Sequence, residues 1–193
     1  MRLTDEAWNG PACRFGDAHI FYVLHILDRE GRVGRVRLAE ILEIGEGSVR
    51  KILSILRDWG FIDVKQSGVS LSEYGEAFMR DIPMDVVDMP VSGYVKGQCQ
   101  QAVLVRGVAE SITNGMRQRD RGVVAGAKGT SVFVMRGGSV IMPKAWNIDE
   151  RDPEFAAVVR ATGMAEGDAL IIAGAPDQSA AAIAAISVGL ELL

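Results

Sequence analysis

The chain has 193 residues, of which 48% are hydrophobic and 24% charged, the composition of an ordinary globular protein with one or two domains. Its 21 Lys and Arg residues against 25 Asp and Glu residues give a net charge of −4, which excludes coating of nucleic acid through charge alone. No apolar run is long enough for a membrane span, and the N-terminus lacks an apolar signal region, so we expect a cytoplasmic protein without a membrane partner.

Apolar residues recur with helical spacing in three successive short segments near the N-terminus. They are Ile20, Val23, Leu24 and Leu27, then Leu38, Ile41 and Leu42, then Val49, Ile52, Leu53 and Leu56. Asp17 is predicted to cap the first helix and Gly31 to end it, while Gly45 separates the second helix from the third. The pattern predicts one helix followed by a helix-turn-helix.

Two alternating runs follow these helices. The runs 61–65 and 69–71 flank the turn Gln66-Ser67-Gly68, and this arrangement predicts a β-hairpin. Ser72 is then predicted to cap a further helix over residues 73–80. Three helices followed by a hairpin are the order of elements in a winged helix-turn-helix domain.

The third helix carries a second, polar stripe on the face opposite its apolar one. In a helix-turn-helix this face lies in the major groove, where Arg50 and Lys51 can donate hydrogen bonds to guanine or to phosphate. The hairpin tip would reach the DNA backbone or the minor groove, and the start of the second helix would contact phosphate. The predicted DNA-binding residues are Arg35, Arg37, Gly47, Ser48, Arg50, Lys51, Ser54, Lys65, Gln66 and Ser67.

Two strings in this region resemble a known family. The string from Gly45 to Ile62 resembles the recognition helix of bacterial and archaeal winged-helix transcriptional regulators, and the string from Val69 to Gly75 resembles the end of their wing. The whole chain is similar to uncharacterised archaeal proteins with an N-terminal winged helix and a C-terminal domain of unknown function. That second resemblance rests on the general layout and on Gly126 to Ser131 followed by Gly137-Gly138. The first resemblance, to winged-helix transcriptional regulators, implies double-stranded DNA as a partner.

The charge of this region leaves an alternative open. Residues 1–82 contain 11 Lys and Arg against 13 Asp and Glu, whereas DNA-binding domains are usually locally basic. The inner stretch 29–65 is more basic, with eight basic against six acidic residues. A winged helix can also serve as a protein-docking module without any DNA target. The exposed basic stripe on the third helix favours DNA.

Two prolines and a glycine between residues 83 and 96 predict a linker that separates an N-terminal domain, residues 1–82, from a C-terminal domain, residues 97–193. The second domain is predicted to contain strands 102–105, 122–126, 131–135, 139–142 and 169–173 and helices 108–118, 153–162 and 178–192. Small residues cover most faces of the last helix, which predicts that it is buried. We expect an α+β fold, with a winged helix-turn-helix followed by a mixed α/β domain.

Helix N-termini that follow buried strands are natural anion sites, and the second domain offers two, near Gly107 and near Pro176. A pocket for a small anionic metabolite would use Arg117, Arg121, Lys128, Thr130, Ser131 and Ser179. The alternative is that the loop 126–131 is only a hairpin connection and the arginines are solvated. No glycine-rich phosphate loop of known spacing is present in the sequence.

Catalytic and metal-binding patterns are also missing from the sequence. Cys13 and Cys99 are too few and too far apart for a zinc site or a disulfide scaffold, and His19 and His25 are interpreted as ordinary residues of the first helix. We therefore expect no metal, no cofactor and no enzyme activity, although an enzyme with an appended winged helix stays open. The expected function is transcriptional regulation by a homodimer, because one short helix reads only a half-site, with the C-terminal domain dimerising or sensing a ligand.

Overall fold

The computed structural model describes residues 15–193, so the first 14 residues of the predicted N-terminal domain, including Cys13, lie outside the described residues. The described part of the chain divides into an N-terminal unit that ends at Ile82 and a C-terminal unit that begins at Pro83. The N-terminal unit is mainly helical and the C-terminal unit contains a sheet with helices. The mixed α+β fold predicted from the sequence is confirmed.

Three helices open the N-terminal unit: α1 (Asp17–Glu30), α2 (Arg35–Leu42) and α3 (Glu46–Asp58). Their apolar stripes form its core, in which the following large side chains are fully buried: Ile20, Phe21, Leu24, Leu27, Leu38, Leu42, Ile52 and Leu56. The predicted cap of α1 is wrong by one residue. Gly16 has the extended backbone of an N-cap and its carbonyl accepts the N–H of Ile20, so Asp17 is the first helical residue.

The predicted hairpin forms from β1 (Ile62–Lys65) and β2 (Gly68–Leu71), and α4 (Glu73–Asp81) follows it. Gly68 pairs with Lys65, so the turn has two residues rather than the three predicted. Val33 adds a bridge to β2, with its N–H 2.8 Å from the carbonyl oxygen of Val69. A Cβ on Gly68 would lie 2.9 Å from the Val33 carbonyl oxygen, which explains the glycine at this position.

Ser72 caps α4 as predicted, since its Oγ accepts the N–H of Gly75 at 3.1 Å. Gly75 itself lies against the backbone between α3 and β1. A Cβ at this position would be 2.1 Å from the carbonyl oxygen of Phe61, a backbone atom that cannot move aside cheaply. The close approach of α4 to this segment therefore requires glycine.

We expect Gly75→Ala to lower the free energy of unfolding by about 1 to 3 kcal/mol, because the added methyl group overpacks a backbone contact. Gly47→Ala is the matched control, since Gly47 is an exposed helical glycine with no neighbouring atom within 4 Å of its Cβ position. That control should be neutral or stabilising by up to about 1 kcal/mol. Urea denaturation would measure both changes, and equal losses would contradict this account of Gly75.

His19 lies in the first turn of α1, where its Nδ1 accepts the N–H of Gly16 at 3.2 Å. This agrees with the interpretation of His19 as an ordinary helix residue. Burial lowers the pKa of His19 below its usual range. In the window below about pH 6.5 the unfolded chain therefore binds more protons than the folded chain, and folding becomes less favourable as the pH falls.

The free energy of unfolding should consequently be fully retained above about pH 6.5 and should decrease as the pH falls towards the lowered pKa of His19. His19→Gln keeps a hydrogen-bond acceptor near Gly16 but does not titrate, so it should flatten the pH dependence in this interval. Chemical denaturation of wild type and His19→Gln at several pH values would measure this difference, and indistinguishable slopes for the two proteins would refute the role of His19.

Within residues 83–193, all of which the structure describes, six strands form one antiparallel sheet. They are β3 (Met84–Val87), β4 (Cys99–Val105), β5 (Gly129–Arg136), β6 (Ser139–Met142), β7 (Trp146–Asn147) and β8 (Ala169–Ala175), in the spatial order β3-β4-β8-β5-β6-β7. The buried strand β8 lies between β4 and β5 and pairs with both over most of its length. It is the centre around which this unit is built.

Four helices accompany the sheet: α5 (Met116–Val124), α6 (Ile148–Arg151), α7 (Pro153–Ala161) and α8 (Gln178–Leu192). The helices α6 and α7 contribute Ile148, Ala156 and Val159 to a core with Leu104 and Phe133 of the sheet. The last helix has the predicted bounds and is buried over Ala181–Leu190. Its Gly189 leaves no room for a Cβ beside Met84 and Val103, so small residues allow α8 to approach the sheet closely.

The structure adds β7 and α6, which the sequence does not predict, and differs from the sequence predictions in three further segments. The predicted linker, residues 83–96, contains β3, which pairs with β4 and completes one edge of the sheet. The predicted helix 108–118 is a short 3₁₀ turn over Ala109–Ser111, and α5 begins only after Gly115 in a left-handed conformation. The predicted strand 122–126 is the end of α5, because Gly122 packs closely on Thr130 although Val123 and Val124 favour strands.

Candidate nucleic-acid interface and the predicted ligand residues

The apolar face of α3 determines which of its side chains meet solvent. Val49, Ile52, Leu53 and Leu56 are buried, so the opposite face points outward. Gly47 and Arg50 are exposed on that outward face, whereas Ser48, Lys51 and Ser54 are half-buried along its sides. The predicted stripe therefore has a fully accessible centre, formed by Gly47 and Arg50, and flanks that are partly covered.

The start of α3 presents backbone donors. Gly45 is its N-cap with an extended backbone and, as a glycine, offers no side chain to the first helical N–H groups. The N–H groups of Ser48 and Val49 already donate to the Gly45 carbonyl oxygen, at 2.9 and 3.3 Å. The amides of Glu46 and Gly47 precede them in the first turn, where a helix end favours negative charge.

Both arginines predicted to clamp phosphate are paired with carboxylates. Arg35 lies 3.5 Å from Glu46 at the start of α3, and Arg37 lies 3.5 Å from Glu40 one turn further along α2. All four side chains are about half exposed or more, so each pair contributes little to stability, about 0 to 1 kcal/mol. A phosphate could replace either carboxylate at small cost.

The hairpin tip is accessible over its whole length. Lys65, Gln66 and Ser67, the residues predicted to contact DNA from the wing, are all exposed. Arg32, which no sequence pattern singles out, donates from its Nη1 to the carbonyl oxygen of Gly68 at 3.3 Å and so holds a cation beside the hairpin. The signal that identifies it is structural, because only the bridge between Val33 and β2 brings the two segments together.

Acidic residues share this surface with the basic ones. Glu43 is exposed in the turn between α2 and α3, where it adopts a left-handed backbone, and Asp63 is exposed on β1. Together with Glu40 and Glu46 they face a set of six basic residues around α2, α3 and the hairpin. That set is Arg32, Arg35, Arg37, Arg50, Lys51 and Lys65. The surface is consequently only weakly basic, which favours selective contacts over general attraction to phosphate.

The structure does not bring the predicted ligand-binding residues into one pocket. Arg117 and Arg121 both pair with Glu191 of α8, at 2.7 and 3.3 Å. Thr130 is buried against Gly122, and its Oγ1 has no hydrogen-bond partner among the described residues. The other three predicted residues have different surroundings. Lys128 is exposed, Ser131 donates to the Tyr94 carbonyl oxygen at 2.7 Å, and Ser179 is buried at the start of α8.

The two predicted anion sites are occupied by carboxylates of the chain itself. Near Gly107, the buried Asp168 accepts the Gly107 N–H at 3.0 Å, the Ala165 N–H at 2.9 Å and a hydrogen bond from Arg106 at 3.1 Å. At the start of α8, Asp177 accepts the N–H of Ala180 at 2.7 Å. Because a fixed carboxylate repels a second anion, neither point is open in the way the sequence suggested.

A cleft of about 550 Å³ lies elsewhere in the C-terminal unit, and Ser131 is the one predicted ligand residue that lines it. Tyr94 donates from its hydroxyl group to Asp152 at 3.0 Å, and the guanidinium group of Arg151 stacks on the exposed Trp146 ring at 3.9 Å. Burial, followed by the hydrogen bond to Asp152, raises the pKa of Tyr94. The tyrosine is therefore a neutral donor throughout the physiological pH range.

No group of three or more His, Cys, Asp or Glu residues in the described part of the chain has the arrangement of a metal site. None of the helices in residues 15–193 is long and apolar enough to cross a membrane.

Asp168 and Glu191 both pair with arginines, but the Asp168 side chain is buried and the Glu191 side chain is partly exposed. Asp168→Asn should lower the free energy of unfolding by about 2 to 3 kcal/mol, because its amide hydrogens would face N–H groups that need an acceptor. Glu191→Gln should cost less than about 1 kcal/mol, since Glu191 and its arginine partners are partly or largely exposed. Both would be measured by urea denaturation. A loss for Glu191→Gln as large as that for Asp168→Asn would show that this ranking is wrong.

Comparisons with known proteins relate both units to families. Residues 95–192 match the family described as a domain of unknown function, DUF4443, and residues 20–77 match the PH0730-like N-terminal domain. The chain is also similar to the solved structure of hypothetical protein PH0730 from Pyrococcus horikoshii OT3, with 24% identity, a TM-score of 0.75 and coverage of 93% of each chain. That likeness supports the fold. No curated protein matches the chain.

Proposed function

We propose that the chain, which belongs to the DUF4443 family, is a DNA-binding transcriptional regulator. In this proposal the N-terminal unit is a winged helix that reads one half-site of double-stranded DNA, and the protein acts in the cytoplasm as a homodimer. The C-terminal unit has no catalytic role and either dimerises or senses a small ligand. The observation that carries the proposal is the outward face of α3, where Gly47 and Arg50 are exposed above a buried apolar stripe.

This face suits the major groove for reasons of shape and charge. Gly47 has no side chain, so the first turn of α3 can approach base edges closely, and Arg50 lies one turn further along the same face. An arginine in this position can donate two hydrogen bonds to a guanine. The exposed Lys65 on the hairpin and Arg32 beside it would then contact the backbone on either side.

The acidic neighbours set the strength of the interaction. The pairs of Arg35 with Glu46 and of Arg37 with Glu40 must exchange a carboxylate for a phosphate when DNA binds. Because both pairs are exposed and weak, the exchange costs little, but it limits the gain from phosphate contacts. We therefore expect modest affinity for random DNA and a dependence on sequence that comes from Arg50 and Lys51.

The C-terminal unit supplies the regulatory half of the proposal. Its cleft at Tyr94, Ser131 and Arg151 is the candidate position for a small effector. The ligand residues predicted from the sequence are dispersed, and the carboxylates of Asp168 and Asp177 already occupy the two predicted anion sites. A ligand at this position would act as a switch only by binding the DNA-competent arrangement with a different affinity from the incompetent one.

Protein docking is the second candidate function, and one observation favours it. Trp59, Phe61, Tyr74 and Phe78 form an aromatic cluster, with ring centroids 4.9 to 6.0 Å from Phe61, and Trp59 and Tyr74 are exposed. Exposed aromatic side chains are typical of protein interfaces. This surface is separate from the outward face of α3, so substitutions can distinguish the two functions.

Binding to fragments of genomic DNA, including the protein's own upstream region, tests the proposal at two salt concentrations. Wild type should select particular fragments, and Arg50→Ala/Lys51→Ala should abolish the selection and reduce the slope of log affinity against log salt by up to about 1.8 for each half-site. The matched control is Arg57→Ala/Arg80→Ala, which removes the same charge from the last turns of α3 and α4. It should retain selection.

Failure of wild type to select any fragment at either salt concentration would contradict DNA reading by α3. If the control double variant lost selection equally, general charge rather than the outward face would be responsible. Docking would instead be supported by a bound protein that is lost with Trp59→Ala/Tyr74→Ala and retained with Arg50→Ala/Lys51→Ala.

A further inference from the structure

The helix α5 presents apolar side chains to solvent on an otherwise polar element. Met116, Val123 and Val124 are 58%, 51% and 77% exposed, respectively. Met116, Asp120 and Val123 share one face because they are four and three residues apart. The opposite face carries Gln118 and Gly122, which are buried. Exposed apolar residues grouped in this way mark an interaction surface.

Contacts on both sides hold this face in place. Gly122 packs against Thr130 so closely that a Cβ would lie 2.0 Å from the threonine Oγ1. Arg117 and Arg121 on one flank pair with Glu191 of α8, at 2.7 and 3.3 Å. The outward face of α5 is consequently rigid, and a partner would not have to order it on binding.

The order of residues on the face is complementary to itself when reversed. An antiparallel copy of α5, related by a two-fold axis between Arg119 and Asp120, brings Met116 opposite the partner's Val123. The same operation brings Arg119 opposite the partner's Asp120, and the symmetry repeats both contacts. Two apolar contacts then flank two opposite-charge contacts, which is the pattern an isologous interface requires.

We propose that α5 is the two-fold contact between two copies of this chain. In the single chain, Arg119 and Asp120 lie 3.5 Å apart with side chains 63% and 65% exposed, so their own ion pair is weak and can be exchanged at little cost. The match of charges across the axis fixes the antiparallel register, because a shift that opposes like charges is repelled. The occupant of this surface is therefore a second copy.

The expected association is reversible. Nine residues span only about 14 Å, so an α5 pair alone buries less than the roughly 1,200 Å² of a stable complex. The dimer should therefore form at micromolar concentrations and dissociate on dilution. This inference does not depend on DNA binding, although it would supply the second half-site reader that the proposed function needs.

Sedimentation velocity of the full chain over about 1 to 200 μM tests the proposal, a range chosen because small interfaces dissociate there. Wild type should shift from monomer to dimer. Arg119→Asp opposes like negative charges across the axis and Asp120→Arg opposes like positive charges, so each should weaken the dimer at least about tenfold. The control Glu154→Arg changes the charge of an exposed residue on α7 and should dimerise like wild type.

An equimolar mixture of the two charge variants is the decisive sample. Across a heterodimer of Arg119→Asp and Asp120→Arg, both central contacts again have opposite charges, so dimers should reappear in the mixture. Thermal unfolding would verify that both variants fold. The proposal is overturned if wild type stays monomeric throughout, if the variants dimerise like wild type, or if the mixture stays monomeric. None of these outcomes bears on whether α3 reads DNA.

Discussion

Burial of one face of α3 is the constraint on which the N-terminal unit depends. Once Val49, Ile52, Leu53 and Leu56 enter the core, the helical period leaves Gly47 and Arg50 no position except the outward one. Leu38 and Leu42 of α2 are buried in the same unit, and the bridge from Val33 to Val69 attaches the hairpin at the side. The proposed DNA-reading surface is thus a consequence of the core.

Close backbone approaches have a comparable role in both units. Gly75, Gly122 and Gly189 each occupy a position where a Cβ would collide with a neighbouring element. In the C-terminal unit, the buried carboxylate of Asp168 accepts hydrogen bonds from the amides of Gly107 and Ala165, which would otherwise lack this acceptor. A buried carboxylate that stabilises the fold in this way also removes the anion site that the local sequence suggests. The N–H donors that an anionic ligand would need at this position already donate to Asp168.

Local patterns allowed most elements to be predicted, and long-range contacts explain the remainder. The stripes of α1 to α3, the hairpin, α7 and α8 follow from periodicity and caps. The strand propensity of Val123 and Val124 predicts a strand, whereas they lie at the end of α5, where Gly122 packs on Thr130. Likewise, the pairing of Arg117 and Arg121 with Glu191, seventy residues away and more, has no signature in sequence.

The central claim is that the outward face of α3 lies in a DNA groove. An iron chelate tethered to a cysteine introduced by Gly47→Cys, in a chain whose Cys13 and Cys99 have been replaced, would test it by cutting nearby DNA. Cleavage should be confined to the selected fragment and centred on its half-sites, and a chelate tethered through Glu154→Cys on α7 should give none. Equal, scattered cleavage from both positions, or no cleavage from position 47 on a bound fragment, would contradict it.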